Sequence, residues 1–377
     1  MKRRGICLLL LLLFFVGFEV QAVSHSAKSA ILVDFDSGRV LYEDNADEKR
    51  LIASITKLMT ALVAVESAPD ISETVKIKAE WTGAEGSSLY LEAGQSWRLE
   101  TLLYGLLLHS GNDAAIAIAG HCAGDVETFV EWMNQRAADL GMADTHFQNP
   151  NGLNHEAHYS TARDMAKLAA ACMENEVIAK IVATKSISLE GRSFANHNKL
   201  LWQYEGCVGM KTGYTDLAGR TLISSARRDG QTLIAVTLSD PDDWEDHAAL
   251  LDYGFSQYPG RQFFEAGESV SWQRVEGSLL RSVPVYIKDS LSYPLTEDED
   301  YSVTVLLPGS VAAPVYKGSI AGLVTVFVSG EVVCQSYLLY GAEAERHVIA
   351  QNPSIQRLLS VWRGKEYGNL KAVFSGF

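Results

Sequence analysis

Residues 53–60 have the sequence Ala-Ser-Ile-Thr-Lys-Leu-Met-Thr, in which Ser54 stands three positions before Lys57. Apolar side chains follow at helical spacing, at Leu58, Ala61, Leu62 and Val65. This spacing predicts a helix over residues 54–66 with one apolar face. Side chains three residues apart lie on the same side of a helix. The serine hydroxyl and the lysine amine are therefore expected to lie close together.

Two more short motifs follow along the chain. Ser110-Gly111-Asn112 lies on a tight loop between two predicted helices, residues 100–108 and 113–123, which are nearly all apolar and should be buried. Lys211-Thr212-Gly213 lies on a strand predicted over residues 208–214. Each motif alone has an ordinary explanation, as a helix cap, a glycine turn or an exposed strand lysine. All three in this order are much harder to obtain by chance.

The order of the predicted elements indicates the fold class. Residues 29–42 are expected to form a β-hairpin. Helices are predicted in the middle of the region, at residues 126–140 and 162–173, and strands return at residues 220–226 and 232–238. Strands at both ends with helices between them predict an α+β domain, residues 23–261, whose first and last strands share one antiparallel sheet.

The chain has a different pattern after about Pro259. Short alternating runs predict strands at residues 269–275, 283–287, 301–307, 322–328 and 332–340. No helical pattern of useful length appears before about Pro353. We therefore predict a separate small all-β domain over residues 262–346.

The first residues have the features of a signal peptide. A positive start at residues 2–4 precedes an apolar run from Cys7 to Phe18, and Ala22 offers a small residue for cleavage. The run is shorter than the roughly 20 apolar residues that a membrane-spanning helix needs. We predict that residues 1–22 are removed and that the protein is exported.

The last residues, 347–377, are predicted to form an amphipathic membrane-anchoring tail. The chain as a whole has 32 basic and 46 acidic residues and a net charge of −14, which argues against a general nucleic-acid binder. From Arg357 onward, however, four basic residues stand against one acidic residue, and Trp362 and Phe374 belong to an apolar stripe. Such a segment is typical of helices that lie on anionic membrane surfaces. The alternative is a tail that docks on its own protein or frays.

Several other residues are expected to have structural roles. Removal of Cys7 leaves four cysteines with no disulfide framework, and we interpret them as buried free thiols. His155 and His158 lack a third ligand, so a loop or structural role is favoured over a metal site. The acidic residues 242–246 lack EF-hand spacing and are predicted to form a solvated loop. No metal, cofactor or nucleotide site is indicated.

Four stretches together resemble the low-molecular-mass penicillin-binding proteins, and specifically the serine D-alanyl-D-alanine carboxypeptidases: residues 53–60, 110–114, 158–165 and 209–216. The resemblance covers about residues 28–258, and the later regions fit the family's layout. It implies a penicillin-binding/serine β-lactamase-like catalytic domain, an antiparallel sheet with a helical cluster, followed by a small all-β domain and a C-terminal amphipathic helix. It also implies action on peptidoglycan stem peptides at the outer face of the cytoplasmic membrane, with acylation by β-lactam antibiotics.

The resemblance also implies roles for the residues of the first two motifs. Ser54 would attack the carbonyl between two D-alanines and form an acyl-enzyme. Lys57 would be its general base, which requires a neutral amine, and burial beside Lys211 would favour that form. Ser110 would relay a proton to the leaving D-alanine, and Asn112 would hold a backbone amide of the substrate.

The third motif would bind the end of the substrate. By the same resemblance, Lys211 and Thr212 would bind the terminal carboxylate, and Gly213 would let the substrate lie against the strand. The backbone N–H groups of Ser54 and Tyr214 would form the oxyanion hole.

The sequence departs from the family's pattern at three places. Ile52 and Val208 stand where the family often has proline and aspartate. Asp243 stands where some members have an arginine that binds the carboxylate. Carboxylate recognition beyond Thr212 is therefore open, with Arg220 or another residue as a contributor.

Other functions compete with a carboxypeptidase. A D,D-endopeptidase would cut cross-links instead of trimming stem peptides. A class A β-lactamase would need a glutamate three positions before a Leu-Asn pair; the pair is Leu153-Asn154, and Pro150 stands where the glutamate would be. A non-enzymatic wall-binding protein is the least favoured function, because all three motifs are intact.

Overall fold

The computed structural model describes residues 23–68, 70–347 and 352–354. The predicted signal peptide and nearly all of the predicted anchoring tail lie outside the described residues. Within the described ranges, no helix combines the length and the apolar character needed to cross a membrane.

The N-terminal α+β part contains nine strands and eight helices among the described residues. Its strands are β1 (Ser29–Asp34), β2 (Val40–Asp44), β3 (Thr74–Lys76), β4 (Ser96–Arg98), β5 (Ser186–Leu189), β6 (Arg192–Ala195), β7 (Cys207–Thr215), β8 (Gly219–Arg228) and β9 (Gln231–Leu238). Its helices are α1 (Lys57–Ser67), α2 (Leu99–Leu108), α3 (Asn112–Ala123), α4 (Val126–Asp139), α5 (Ala162–Glu174), α6 (Glu176–Ala183), α7 (Leu200–Gln203) and α8 (Asp243–Gln257). Short 3₁₀ helices occupy Ala53–Thr56 and Ala79–Trp81.

A five-stranded antiparallel sheet in the order β2-β1-β9-β8-β7 is the centre of this part. Successive residues of β1 enter different cores, because side chains alternate between the faces of a sheet. Ile31 joins the large core formed with helices α1 to α6, whereas Leu32 joins the smaller core formed with α8. Both faces are therefore covered by helices. The direct pairing of β1 with β9 confirms that the first and last strands share one sheet.

Residues 242–246 are not the solvated acidic loop that the sequence predicted. Helix α8 begins at Asp243, and the side chains of Asp243 and Asp246 are buried. Carboxylates are favoured in a first turn because the unpaired N–H groups there carry positive partial charge. Asp246 also accepts hydrogen bonds from the backbone N and Oγ of Ser26, at 2.6 and 2.8 Å. The prediction was wrong because it took charge as a sign of exposure.

The β-rich part has its own core and eight strands among the described residues. These are β10 (Gly260–Phe264), β11 (Ser269–Glu276), β12 (Ser282–Ile287), β13 (Leu291–Pro294), β14 (Tyr301–Leu306), β15 (Val311–Ala312), β16 (Ile320–Val328) and β17 (Glu331–Tyr340). Six of them form a sheet in the order β14-β16-β17-β12-β11-β15, and β10 pairs with β13. The all-β character predicted here is confirmed, and the predicted boundary after residue 261 falls within β10.

Arg39, which immediately precedes β2, links the two parts. Its guanidinium donates to the backbone oxygen of Pro294 at 2.6 Å and forms an ion pair with Glu299 at 2.5 Å. It also lies over the rings of Tyr258 and Tyr293, 5.0 and 5.2 Å from their centroids. Because β2 and β7 are the opposite edges of the central sheet, this link lies at the edge away from β7.

The four cysteines of the described residues are all unpaired, as predicted. Burial is less complete than predicted, since only Cys172 is fully buried and the other three, Cys122, Cys207 and Cys334, are half-buried. Burial raises the pKa of the Cys172 thiol strongly, which keeps it protonated.

Candidate active site

Ser54 lies in the 3₁₀ helix that leads directly into α1. Ala53 begins this turn with a φ of 49°, a left-handed conformation that is uncommon for a residue other than glycine. The turn places Lys57 Nζ 2.9 Å from Ser54 Oγ. The contact expected from the three-residue spacing is present.

Lys57 is fully buried and has two partners besides Ser54. Its Nζ donates to Asn112 Oδ1 at 2.7 Å and to the backbone oxygen of Asn151 at 2.5 Å. Burial, with the positive charge of Lys211 as a second cause, holds the pKa of Lys57 well below its usual range. A neutral amine has two N–H donors and one lone pair. In that form, the two oxygens would take the donors, and the lone pair would be left for the Ser54 hydroxyl.

Ser110 and Asn112 are positioned by the connection between α2 and α3. Ser110 has a φ of 66°, and Asn112 is the first residue of α3. Asn112 Nδ2 donates to the backbone oxygen of Glu85 at 2.5 Å, which turns its Oδ1 toward Lys57. Each end of the Asn112 amide thus has one protein partner and retains one hydrogen-bonding position.

Asp113 supports this connection, and the sequence analysis gave it no role. Its buried carboxylate accepts from the backbone N of Leu89 at 2.8 Å and of Leu91 at 3.0 Å, and from Ser88 Oγ at 2.6 Å. The segment before α2 is therefore fixed against the start of α3. The signal available in the sequence was an aspartate within the first turn of a predicted helix.

Lys211 lies on β7, the edge strand of the central sheet. It is buried, its Nζ donates to the backbone oxygen of Thr212 at 3.0 Å, and burial lowers its pKa to about 7. Gly213 lies where the strand meets the serine turn. A Cβ at this position would be 2.4 Å from Thr221 Oγ1 and 2.9 Å from the backbone N of Ser54. The glycine therefore lets the strand approach the backbone of Ser54, a role that was not predicted from the sequence.

An open cleft of about 530 Å³ joins these elements. Five of the eight predicted site residues line it: Ser54, Ser110, Thr212, Gly213 and Tyr214. The other three, Lys57, Asn112 and Lys211, are buried. A larger cavity of about 850 Å³ beside α8, lined by Arg228 and Tyr253, contains none of the predicted residues. The structure therefore offers the motif-lined cleft as the site of chemistry.

Arg220 and Asp243 form an ion pair at one side of the cleft. Arg220 Nη2 lies 2.7 Å from Asp243 Oδ1 and 2.8 Å from Oδ2. The guanidinium also lies over the ring of Trp244, 5.4 Å from its centroid. The position that the resemblance associates with an arginine thus holds the carboxylate partner of a different arginine.

His158 has the structural role favoured by the sequence analysis. Its Nε2 lies 2.8 Å from Thr56 Oγ1, and its Nδ1 accepts from the backbone N of Gln148 at 3.1 Å. Burial lowers the pKa of His158 to about 4, so the ring is neutral at ordinary pH. The histidine connects the serine turn to the segment that contains Asn151.

A serine in contact with a buried lysine, beneath an open cleft on an antiparallel sheet with helices on both faces, is the arrangement of a serine acyl-transfer enzyme of the penicillin-binding class. Residues 17–242 match the family model of peptidase S11, described as D-alanyl-D-alanine carboxypeptidase, and residues 258–346 match that of the penicillin-binding protein 5 C-terminal domain. The chain belongs to this D-alanyl-D-alanine carboxypeptidase family. The predictions of a serine-type D-alanyl-D-alanine carboxypeptidase and of its two-part fold are confirmed.

Known relatives resemble the chain over most of its length. The D-alanyl-D-alanine carboxypeptidase DacF of Bacillus subtilis is 32% identical over 85% of this chain and 86% of its own. The D-alanyl-D-alanine carboxypeptidase DacA of Escherichia coli K12 is 34% identical over 83% of this chain and 82% of its own. The solved structure of penicillin-binding protein 5 from Haemophilus influenzae covers 86% of this chain and 98% of its own, with 29% identity and a TM-score of 0.70.

Proposed function

We propose that this protein removes the terminal D-alanine from peptidoglycan stem pentapeptides through an acyl-enzyme on Ser54. The observation that carries the proposal is the surroundings of Lys57. Two oxygen atoms, Asn112 Oδ1 and Asn151 O, occupy its donors, and its lone pair is left for Ser54 Oγ at 2.9 Å. Burial lowers the pKa of the amine and so favours its neutral form, which can accept the proton that a serine must lose to attack.

Acylation begins when Ser54 Oγ attacks the carbonyl carbon between the two D-alanines. The hydroxyl proton passes to Lys57 Nζ as the new C–O bond forms. Negative charge then develops on the carbonyl oxygen, where the backbone N–H groups of Ser54 and Tyr214 would stabilise it. The close approach of Gly213 to Ser54 N supports this assignment, because it brings the strand and the serine turn together.

The C–N bond breaks in the next step. The amine of the leaving D-alanine takes a proton that Ser110 relays from Lys57, and an ester on Ser54 remains. Water then attacks this ester, with Lys57 again accepting a proton, and the serine is restored. A β-lactam contains a cyclic amide that Ser54 opens in the same way, so the antibiotic acylates the enzyme.

Binding of the substrate would use groups that keep unused hydrogen-bonding positions. Asn112 has one such position at each end of its amide and would hold a backbone amide of the stem peptide. Thr212 lines the cleft and would contact the terminal carboxylate together with Lys211.

Carboxypeptidase and endopeptidase action are separated by their products. We expect the mature enzyme to release free D-alanine from uncross-linked stem pentapeptides, as followed by mass spectrometry, and to leave cross-linked dimers largely intact. Cleavage of the dimers at a similar rate, with little free D-alanine, would assign the endopeptidase function.

The surroundings of Pro150 do not favour a β-lactamase. Its backbone oxygen accepts from Thr60 Oγ1 at 2.6 Å, and it supplies no carboxylate at the place where a class A enzyme holds its deacylating glutamate. The penicillin ester is therefore expected to persist. Release of free D-alanine would also exclude a purely wall-binding role.

We also propose export, with residues 1–22 removed, and peripheral attachment to the outer face of the membrane through residues 347–377. Residues 23–261 would be the catalytic domain and residues 262–346 a β-rich domain. The support for the anchor is the basic amphipathic sequence of the tail.

A truncated chain tests the anchor. Mature protein should sediment with anionic vesicles, whereas a chain that ends at Pro353 should stay in the supernatant. A full-length control with Arg357, Arg363, Lys365 and Lys371 replaced by glutamine should bind less and lose its dependence on salt. Equal sedimentation of the truncated and full-length chains would disprove the anchor.

A further inference from the structure

Recognition of the substrate's end requires a cation in the cleft. A substrate of a carboxypeptidase ends in a carboxylate. The inference below therefore rests on the proposed function. Among the described residues that line the cleft, the lysine and arginine side chains are those of Lys199 and Arg220. Lys211 is buried and is not among the residues that line the cleft.

Arg220 is on the same face of the sheet as Thr212. In the β7–β8 pairing, Thr212 is opposite Leu222 and Tyr214 is opposite Arg220. Side chains directly opposite each other share a face, and those two residues apart along a strand share it too. Thr212 and Arg220 are therefore diagonal neighbours, a separation that a long side chain can span.

The guanidinium of Arg220 is held in place but has unused donors. Asp243, whose side chain is 3% exposed, binds Nη2, and the ring of Trp244 supports the guanidinium plane. Arg220 Nε is buried and has no hydrogen-bond partner among the described residues. The side chain is 40% exposed, so its remaining N–H groups can reach a ligand in the cleft. A guanidinium can bind two carboxylates at once because its five N–H groups form a fork.

Arginine suits this task better than either nearby lysine. Lys211 has a pKa of about 7 because of burial, so near neutral pH only part of the population carries its charge. Arginine stays protonated throughout the physiological range. Lys199 Nζ lies 6.0 Å from the centroid of the Trp244 ring. Its ammonium group is a compact, strongly hydrated point charge and lacks the fork of donors that arginine offers a carboxylate.

We propose that Arg220, oriented by Asp243 and Trp244, binds the terminal carboxylate of the substrate. It would take the place of the arginine that the resemblance associates with the position of Asp243. The carboxylate would lie between Thr212 and the guanidinium. Arg220 is thus a specificity residue that distinguishes peptides with a free carboxyl end from peptides whose end is blocked.

The test compares two peptides that end in D-Ala-D-Ala, one with a free carboxylate and one with a terminal carboxamide. For the mature enzyme, kcat/KM should favour the acid. The double variant Arg220→Met/Asp243→Asn removes both charges and avoids leaving a buried carboxylate unpaired. Its preference for the acid should fall about 10- to 100-fold, the loss expected for a charge-assisted hydrogen bond. Arg220→Lys, which keeps the charge without the fork, should retain part of the preference.

Lys199→Met is the matched control, because it removes one cation from the same cleft. It should keep the acid preference near the level of the unchanged enzyme, and thermal unfolding of each variant checks its folding. An unchanged preference in both Arg220 variants, or its loss in the Lys199 variant alone, would overturn the proposal. Equal hydrolysis of both peptides by the unchanged enzyme would also overturn it while leaving the proposed function intact. Hydrolysis of neither peptide would instead contradict the proposed function.

Discussion

Replacing Ser54 by alanine should abolish covalent labelling by penicillin and lower D-alanine release by about a million-fold, the loss typical when a serine nucleophile is removed. The reason is that no acyl bond can form without Oγ. The 3₁₀ turn that holds the residue is fixed by contacts that do not involve the Ser54 side chain, including the hydrogen bond from Thr56 Oγ1 to the backbone oxygen of Ala53 at 2.8 Å. The variant should therefore fold normally. Labelled penicillin followed by gel electrophoresis and peptide mapping measures the effect.

Ser87→Ala is the matched control for this experiment. Ser87 lines the same cleft, and its contact with the machinery is made by its backbone oxygen, which accepts from the backbone N of Asn112 at 2.7 Å. Loss of its hydroxyl should leave labelling at the level of the unchanged enzyme. Labelling that persists in Ser54→Ala would show that another residue is acylated.

Replacing Lys57 by methionine should slow acylation by penicillin about 100- to 10,000-fold, because the variant lacks the proposed general base. Methionine has a similar length and no charge, so it fits a fully buried position better than a shorter residue would. Stopped-flow measurement of the acylation rate, with thermal unfolding to confirm the fold, gives the result.

Lys57→Arg separates proton acceptance from simple charge. Arginine keeps a cation near Ser54 but cannot be deprotonated in a protein. Acylation of Lys57→Arg should therefore be as slow as acylation of the methionine variant. A rate near that of the unchanged enzyme would contradict the role of Lys57 as base. In the unchanged enzyme, the rate should fall as the pH is lowered through the depressed pKa of Lys57, because protonation removes the lone pair.

The motifs were predictable because their geometry is largely local. The spacing of Ser54 and Lys57 determines their contact once a helix begins there, and the loop between two apolar helices places Asn112 at the start of α3. The pairing of β1 with β9 also followed from the order of the elements. The burial of Lys57 was expected from the chemistry that the resemblance implied, whereas the burial of Lys211 was not expected from the sequence.

Other parts of the site depend on contacts that no local pattern records. The backbone oxygen of Asn151 reaches Lys57 from a segment about 94 residues further on, and any residue type offers such an oxygen. Helix α8 was missed because its first turn is strongly acidic. Arg220 and Asp243 belong to different elements, so their pairing depends on how α8 packs on the sheet.

The position of β1 in the central sheet has a consequence for the order in which the chain can fold. On one side β1 pairs with β2, which follows at once, and on the other with β9, whose residues come about 200 positions later. Closing so long a loop costs chain entropy, and folds with many such contacts form slowly. The strand that carries Lys211 joins the sheet through β8 and β9. We therefore expect the ability to react with penicillin to arise late in folding, after the chain up to residue 238 has come together.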